Sequence, residues 1–283
     1  LNFAHPKLER VLLWARQDDA IRALVLTGSL ARDDGATDEF SDLDVQVITA
    51  DVKRFTSDDS WLDTLGEVWI RFPLNQDAPF RLVWFRGGIK VDFQFLDLGD
   101  IRPTAPTDEY ASGYQILLDK EDLFRDLPPS PREFAPQPQP SAAAVRDAIN
   151  EFWFEALHVA QFIRRREFWV VKHRDWTMKQ DLLRMLEWQA RATRPQPANT
   201  GTIGRGVTSW TDDEAKAAIK RIWARWNPKE LWDALLLQMK LFRRLSLELN
   251  QRLGYEYDDK RHREIEIYIR LLRREDSGTS SKG

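Results

Sequence analysis

The chain carries the run Leu26-Thr27-Gly28-Ser29-Leu30-Ala31-Arg32 and then, past a polar spacer, Ser41-Asp42-Leu43-Asp44-Val45-Gln46-Val47-Ile48. Residues 21–26 are mostly apolar and read as a buried strand that stops at a Gly-Ser turn. Glycine lets a backbone come close to a ligand, and the amides opening a following helix suit a phosphate. In the second run Leu43, Val45 and Val47 alternate with Asp42, Asp44 and Gln46, so the pattern is a strand with one apolar and one polar face. Residues two apart project from the same face, and both carboxylates therefore point at one spot. Side by side they repel; a divalent cation between them removes the penalty and leaves positions open for substrate phosphates. A Gly-Ser turn or an Asp-x-Asp strand edge is commonplace alone. Joined in this order, they supply the chemistry for attack on a nucleotide phosphorus.

The 283 residues are enough for one large domain or two ordinary ones, and 12 tryptophans promise a substantial core. Cysteine is absent, which excludes disulfides and thiolate metal sites and fits a reducing cytoplasm. No apolar stretch approaches the roughly 18 residues of a membrane span. The opening Leu1-Asn2-Phe3-Ala4-His5-Pro6 has no signal-peptide pattern, and a chain opening on leucine reads as lacking its natural start. The net charge of −3 conceals a split: residues 1–127 hold 24 acidic and 14 basic side chains, the remainder 21 and 28. Such asymmetry points to two electrostatically different modules. A mildly acidic total argues against a nucleic-acid binder, which would carry a basic stripe.

Going along the chain, apolar spacing predicts a helix over 6–18, short helices over 51–55 and 58–65, and strands over 67–72, 80–86 and 89–96. Gly87-Gly88 reads as a two-residue hairpin between the last two strands. In the third strand Lys90, Asp92 and Gln94 share the polar face, repeating the layout of the first carboxylate strand. If the two strands are neighbours, Asp92 joins Asp42 and Asp44. The loop 33–37 reads as a polar surface connection, and 114–122 as the end of the domain. Six prolines between Pro128 and Pro140 make an extended, stiff connector. The domains are therefore 1–127, a linker over 128–140, a helical domain over 141–275, and a disordered tail over 276–283. Ser141 caps a long amphipathic helix over 142–166; further helices are predicted over 176–193, 212–226, 229–253 and 264–272, with a break at 194–197 and a glycine-rich turn over 201–206.

Gly28-Ser29 followed, after a spacer of this size, by Asp42-x-Asp44 resembles the signature of the nucleotidyltransferase superfamily. With Asp92 in its strand, Asn150-Glu151-Phe152-Trp153 after the proline joint, and Met185-Leu186-Glu187-Trp188, the chain resembles the aminoglycoside 6-adenylyltransferase family, the streptomycin adenylyltransferases. The resemblance extends from about residue 7 to about residue 272. One departure is Gly204-Arg205, where the family often has Gly-Lys; Arg and Lys differ in geometry.

The resemblance implies an α/β (α+β) protein: an N-terminal nucleotidyltransferase mixed sheet with helices on one side, then an all-α bundle, with the active site between the two. It implies transfer of AMP from ATP to a hydroxyl of streptomycin, with Mg2+ and release of pyrophosphate. Asp42 and Asp44 would hold the ion bridging triphosphate oxygens, and Asp92 would either bind a second ion or take the hydroxyl's proton. Gly28, Ser29 and Arg32 would meet the phosphates, with Lys172, Lys179 or Arg184 supplied by the basic half. Streptomycin is a polycation, so Glu151 and Glu155 would pair with its cationic groups and Trp153 or Trp188 would form an aromatic wall. The partners implied are a small aminoglycoside and a nucleoside triphosphate, with neither nucleic acid nor membrane, in a cytoplasmic enzyme read as a monomer. Two rival readings are the same reaction on another small hydroxylated antibiotic or a protein side chain, and a nucleotide-binding regulator without turnover.

Overall fold

The computed structural model describes residues 5–32, 37–73, 78–101, 108–132, 138–193, 200 and 202–279. The readings of 33–36, 133–137, 194–197, Gly201 and the tail 280–283 lie outside the described residues. The chain divides into two compact units, Leu1–Ala135 and Pro136–Gly283. The start of the proline-rich stretch belongs to the first unit: Tyr114 donates its hydroxyl to the Pro128 carbonyl and Ser130 to that of Ala111. Its far end belongs to the second, where the Tyr255 hydroxyl donates to the Pro140 carbonyl.

The first unit runs α1 (Leu8–Gln17), β1 (Ile21–Thr27), α2 (Gly28–Arg32), β2 (Leu43–Thr49), α3 (Val52–Ser57), α4 (Trp61–Leu65), β3 (Val68–Phe72), β4 (Phe80–Phe85), β5 (Ile89–Asp97), a 3-10 turn (Leu98–Asp100), α5 (Asp108–Ala111) and β6 (Gln115–Asp119). The six strands form one mixed sheet in the order β3-β4-β5-β2-β1-β6. Only β2 and β5 are parallel, and the intervening α3, α4, β3 and β4 provide the crossover that a parallel pair needs. The alternation Leu43, Val45, Val47 and Val91, Phe93, Phe95 turns one face toward α1, α3 and α4. There Trp14 stacks on Trp61 at 4.8 Å, and Phe93 meets Trp61 edge-on at 4.9 Å. Under this layer Arg81 is fully buried, its charge answered by Asp59 and by the carbonyls of Ala78, Phe80 and Thr56; an unpaired guanidinium there would be prohibitively costly.

Helices on one side only is too simple a reading. Ala23, Val25 and Ile48 on the opposite face are covered by Tyr110 of α5 and by Phe124. Neither was legible as a cover because both come from short segments without helical periodicity. The hairpin also differs. Phe85 pairs with Ile89, leaving Arg86, Gly87 and Gly88 in a three-residue turn with both glycines at positive φ. Arg86 extends toward β3, donating its amide to the Glu67 carbonyl, which takes it out of the β5 ladder.

The second unit is helical: α6 (Ala142–Arg164), α7 (Phe168–Thr193), α8 (Val207–Trp210), α9 (Asp213–Ile219), α10 (Pro228–Leu253) and α11 (Asp259–Thr279). Ser141 caps α6 by accepting the Ala144 amide, and Phe152 stacks on Phe242 of α10 at 3.7 Å in the core. Several boundaries moved. α7 begins at Phe168 rather than 176, because burial of Val171 outweighs the weak helix propensity of its aromatic and β-branched neighbours. α9 stops at Ile219 rather than 226: Lys172 takes the Ala224 carbonyl, and Asn227 and Pro228 already begin the next helix. α11 extends to Thr279, taking in residues read as tail.

Candidate active site

Strand β1 ends at Thr27, and the chain turns at once into α2 through Gly28, whose φ is +69°. A side chain here would be strained, and a Cβ would overlap the carboxylate of Asp44. The Gly-Ser turn is thus packed directly against the first carboxylate strand, with Thr27 paired to Asp44 across β1 and β2.

The parallel register of β2 and β5 sets Asp44 beside Asp92. Asp42 precedes β2 on the same face, and one carboxylate oxygen from each of Asp42, Asp44 and Asp92 lies within 4.8 Å of the others. Lys90, on the polar face of β5 but given no role by the sequence reading, bridges two of them: its Nζ donates to Asp42 Oδ2 at 2.5 Å and to Asp92 Oδ2 at 2.7 Å. Burial alone would depress this ammonium, but the two carboxylates hold it above the ordinary lysine value. Burial pushes the Asp92 carboxyl up, against the pull of Lys90 and with the Asp42 charge adding to the rise. Asp92 Oδ1 is buried without a hydrogen-bond partner among the described residues. Three converging carboxylates with an orphaned buried oxygen are an all-oxygen donor set of the kind a hard divalent cation takes.

The same sheet face carries Gln46, which donates to Gln94 Oε1 at 3.0 Å and accepts from the Tyr110 hydroxyl at 2.5 Å. These groups close one end of the face and leave the carboxylates at the other.

In the helical unit the candidates separate. Lys172 donates to the Ala224 carbonyl, and Lys179 is buried in a pair with Asp175, with burial pulling its pKa down. Both already have structural partners. Arg184 is half-exposed and reaches Asp181 Oδ1 at 3.3 Å. Trp153 is corrected: at 2% exposure, stacked on His262 at 5.2 Å, it is a core residue and has no face to offer a ligand. Trp188 is half-buried against the same core. Glu155 is taken by Arg174, which reaches both its oxygens at 3.0 Å. Glu151 is exposed.

Besides Lys90, a second residue was missed. Asp181 of α7 is 1% exposed with Oδ2 unpartnered among the described residues, and its pKa is pushed up to about 7 by burial, with the charges of Glu151 and Glu155 adding and Arg184 opposing. The spacing of Glu151 and Glu155 is visible in sequence; the packing of α6 on α7 that brings in a third carboxylate is not.

Among known proteins, an aminoglycoside 6-adenylyltransferase of Campylobacter jejuni is 28% identical over 260 residues, covering 87% of this chain and 88% of its own. Another from Staphylococcus aureus is 24% identical over 275 residues, covering 93% and 96%. The crystal structure of an aminoglycoside 6-adenyltransferase from Bacillus subtilis aligns over 95% of this chain and 98% of its own, at 20% identity and a TM-score of 0.47. The family described as streptomycin adenylyltransferase matches residues 4–272, which takes in both units and all three carboxylates, and the chain belongs to that family.

Proposed function

We propose that this adenylyltransferase moves AMP from ATP to a hydroxyl of streptomycin, in the cytoplasm and as a monomer, with Mg2+ held by Asp42, Asp44 and Asp92. The observation that carries the reading is the convergence of those carboxylates beside a Gly-Ser turn that leaves no room for a side chain at Gly28. The bound cation would neutralise charge on the triphosphate and polarise the phosphorus under attack. Gly28 and Ser29 hold phosphate oxygens with backbone amides and a hydroxyl, and Arg32, at the end of α2, adds a positive charge. The acceptor oxygen forms its bond to the α-phosphorus as the bond to the bridging oxygen breaks, and pyrophosphate leaves. Asp92 takes the proton from the acceptor hydroxyl with a carboxylate oxygen that the cation does not occupy. Lys90 keeps Asp42 and Asp92 together before substrates bind. In the helical unit the exposed Glu151 attracts the cationic groups of the acceptor.

The test is ATP-dependent pyrophosphate release by the purified protein with Mg2+ and a panel of aminoglycosides. Streptomycin-dependent release is the expected result. Release with another acceptor only would reassign the substrate, and nucleotide binding without any release would identify a regulator.

A further inference from the structure

Cross-strand partners share a sheet face, so the active-site face can be followed beyond the carboxylates. One row runs from Asp44 on β2 to Asp92 on β5, Leu82 on β4 and Phe72 on β3. The adjacent row runs from Lys90 to Trp84 and Ile70. The β2–β5 half of this face is charged and the β4–β3 half is apolar. Ile70, Phe72 and Trp84 are 62%, 61% and 42% exposed, a contiguous stripe of large apolar side chains left in water beside the catalytic cluster. Such patches mark binding surfaces.

The order of strands says which ligand belongs there. The Gly28–Ser29 turn leaves from β1, on one flank of the carboxylates, and β4 and β3 lie on the other. Attacking and leaving oxygens are roughly in line in phosphoryl-type transfer. With the triphosphate held on the β1 flank, the acceptor hydroxyl enters from the β4–β3 flank, where the stripe begins. Trp84 is directly opposite Lys90, whose amine touches Asp42 and Asp92. At strand spacings of about 4.8 Å, the indole is roughly 5–10 Å from the cluster, the span of one or two sugar rings.

We propose that Trp84, flanked by Ile70 and Phe72, is the platform on which an aminoglycoside acceptor lies while its hydroxyl reaches Asp92. This assignment rests on the function proposed above and adds the residues that orient the acceptor. An indole face attracts a guanidinium or ammonium group and packs flat against the C–H face of a sugar ring. The neighbouring carboxylates favour the same polycation. Stripe and cluster together thus select a ligand that is cationic and has apolar ring faces.

Steady-state kinetics on Trp84→Ala, Trp84→Phe and Ile70→Ala, with streptomycin and ATP varied separately, provide the test. Trp84→Ala should lower kcat/KM for the acceptor roughly three- to thirtyfold, with the KM for ATP unchanged. Trp84→Phe should recover most of the loss, and Ile70→Ala should act in the same direction but less. Because these side chains are exposed, melting without ligand should match the wild type; should Trp84→Ala not fold, Trp84→Phe and Ile70→Ala still decide. A rise in the KM for ATP alone, unchanged constants in all three variants, or loss of a wild-type dimer on sedimentation would each overturn the platform. Wild-type activity with indifferent variants removes the platform and spares the function; a wild type inactive on every aminoglycoside removes both.

Discussion

Substituting Gly28 by alanine separates two costs that the structure combines at one position. The first is backbone strain: φ is +69°, in the left-handed region, where a non-glycine residue costs about 1–2 kcal/mol. The second is steric, since the new methyl would occupy the space of the Asp44 carboxylate. That carboxylate is the movable partner, so it swings away from Asp42 and Asp92 and the cluster opens. Gly88→Ala is the matched control, with φ +75° and nothing within 4 Å of the added Cβ. Both variants should melt roughly 3–8 °C below the wild type, the shift expected of the backbone cost in a unit of this size. Only Gly28→Ala should lose turnover, by about a hundredfold or more, as displacements of about 1 Å do in sites that work by positioning. Pyrophosphate release with saturating ATP and streptomycin, read beside thermal melting, is the assay. Equal activity in the two variants would refute the argument, because the packing of the Gly-Ser turn on Asp44 would then be irrelevant to the chemistry.

Asp44→Asn should abolish pyrophosphate release while the fold persists, and melting without nucleotide should be unchanged or higher because carboxylate repulsion is relieved. Asp181 has a folded pKa of about 7 against an ordinary 3.8, so the folded protein holds a proton that the unfolded chain has released. The contribution of Asp181 to stability is therefore fully present below pH 3.8 and is lost as pH rises through about 7; Asp181→Asn should flatten that part of the slope in denaturant unfolding followed across this window. Glu151→Gln removes a charge-assisted hydrogen bond of about 1.5–3 kcal/mol, which should raise the KM for streptomycin roughly ten- to a hundredfold and leave that for ATP alone. A change confined to ATP would move the acceptor's cationic contact to another carboxylate.

The strands around the site were legible because their information is local. Alternation across 43–47 and 89–96 reports directly which side chains share a face, and the run before Gly28 ends at a glycine that the turn requires. Helix existence was legible for the same reason, through apolar repeats such as Val145, Ile149, Phe152 and Ala156. Boundaries were less so, since those at Phe168, Ile219 and Thr279 depend on partners distant in sequence.

The sequence alone determined that two aspartates share a face beside a Gly-Ser turn, that a third sits on a similar strand, and that the chain after the proline-rich stretch is helical. Tertiary structure decided what those groups meet. Parallel pairing of β2 with β5 puts Asp92 beside Asp44, and the same register brings Lys90 between two carboxylates and Trp84 opposite Lys90. It also assigned Trp153 to the core and made Asp181 a buried carboxyl. The physical reason is that periodicity fixes the direction of a side chain relative to its own backbone, whereas its neighbours, its burial and hence its ionisation depend on which distant strand or helix is packed against it.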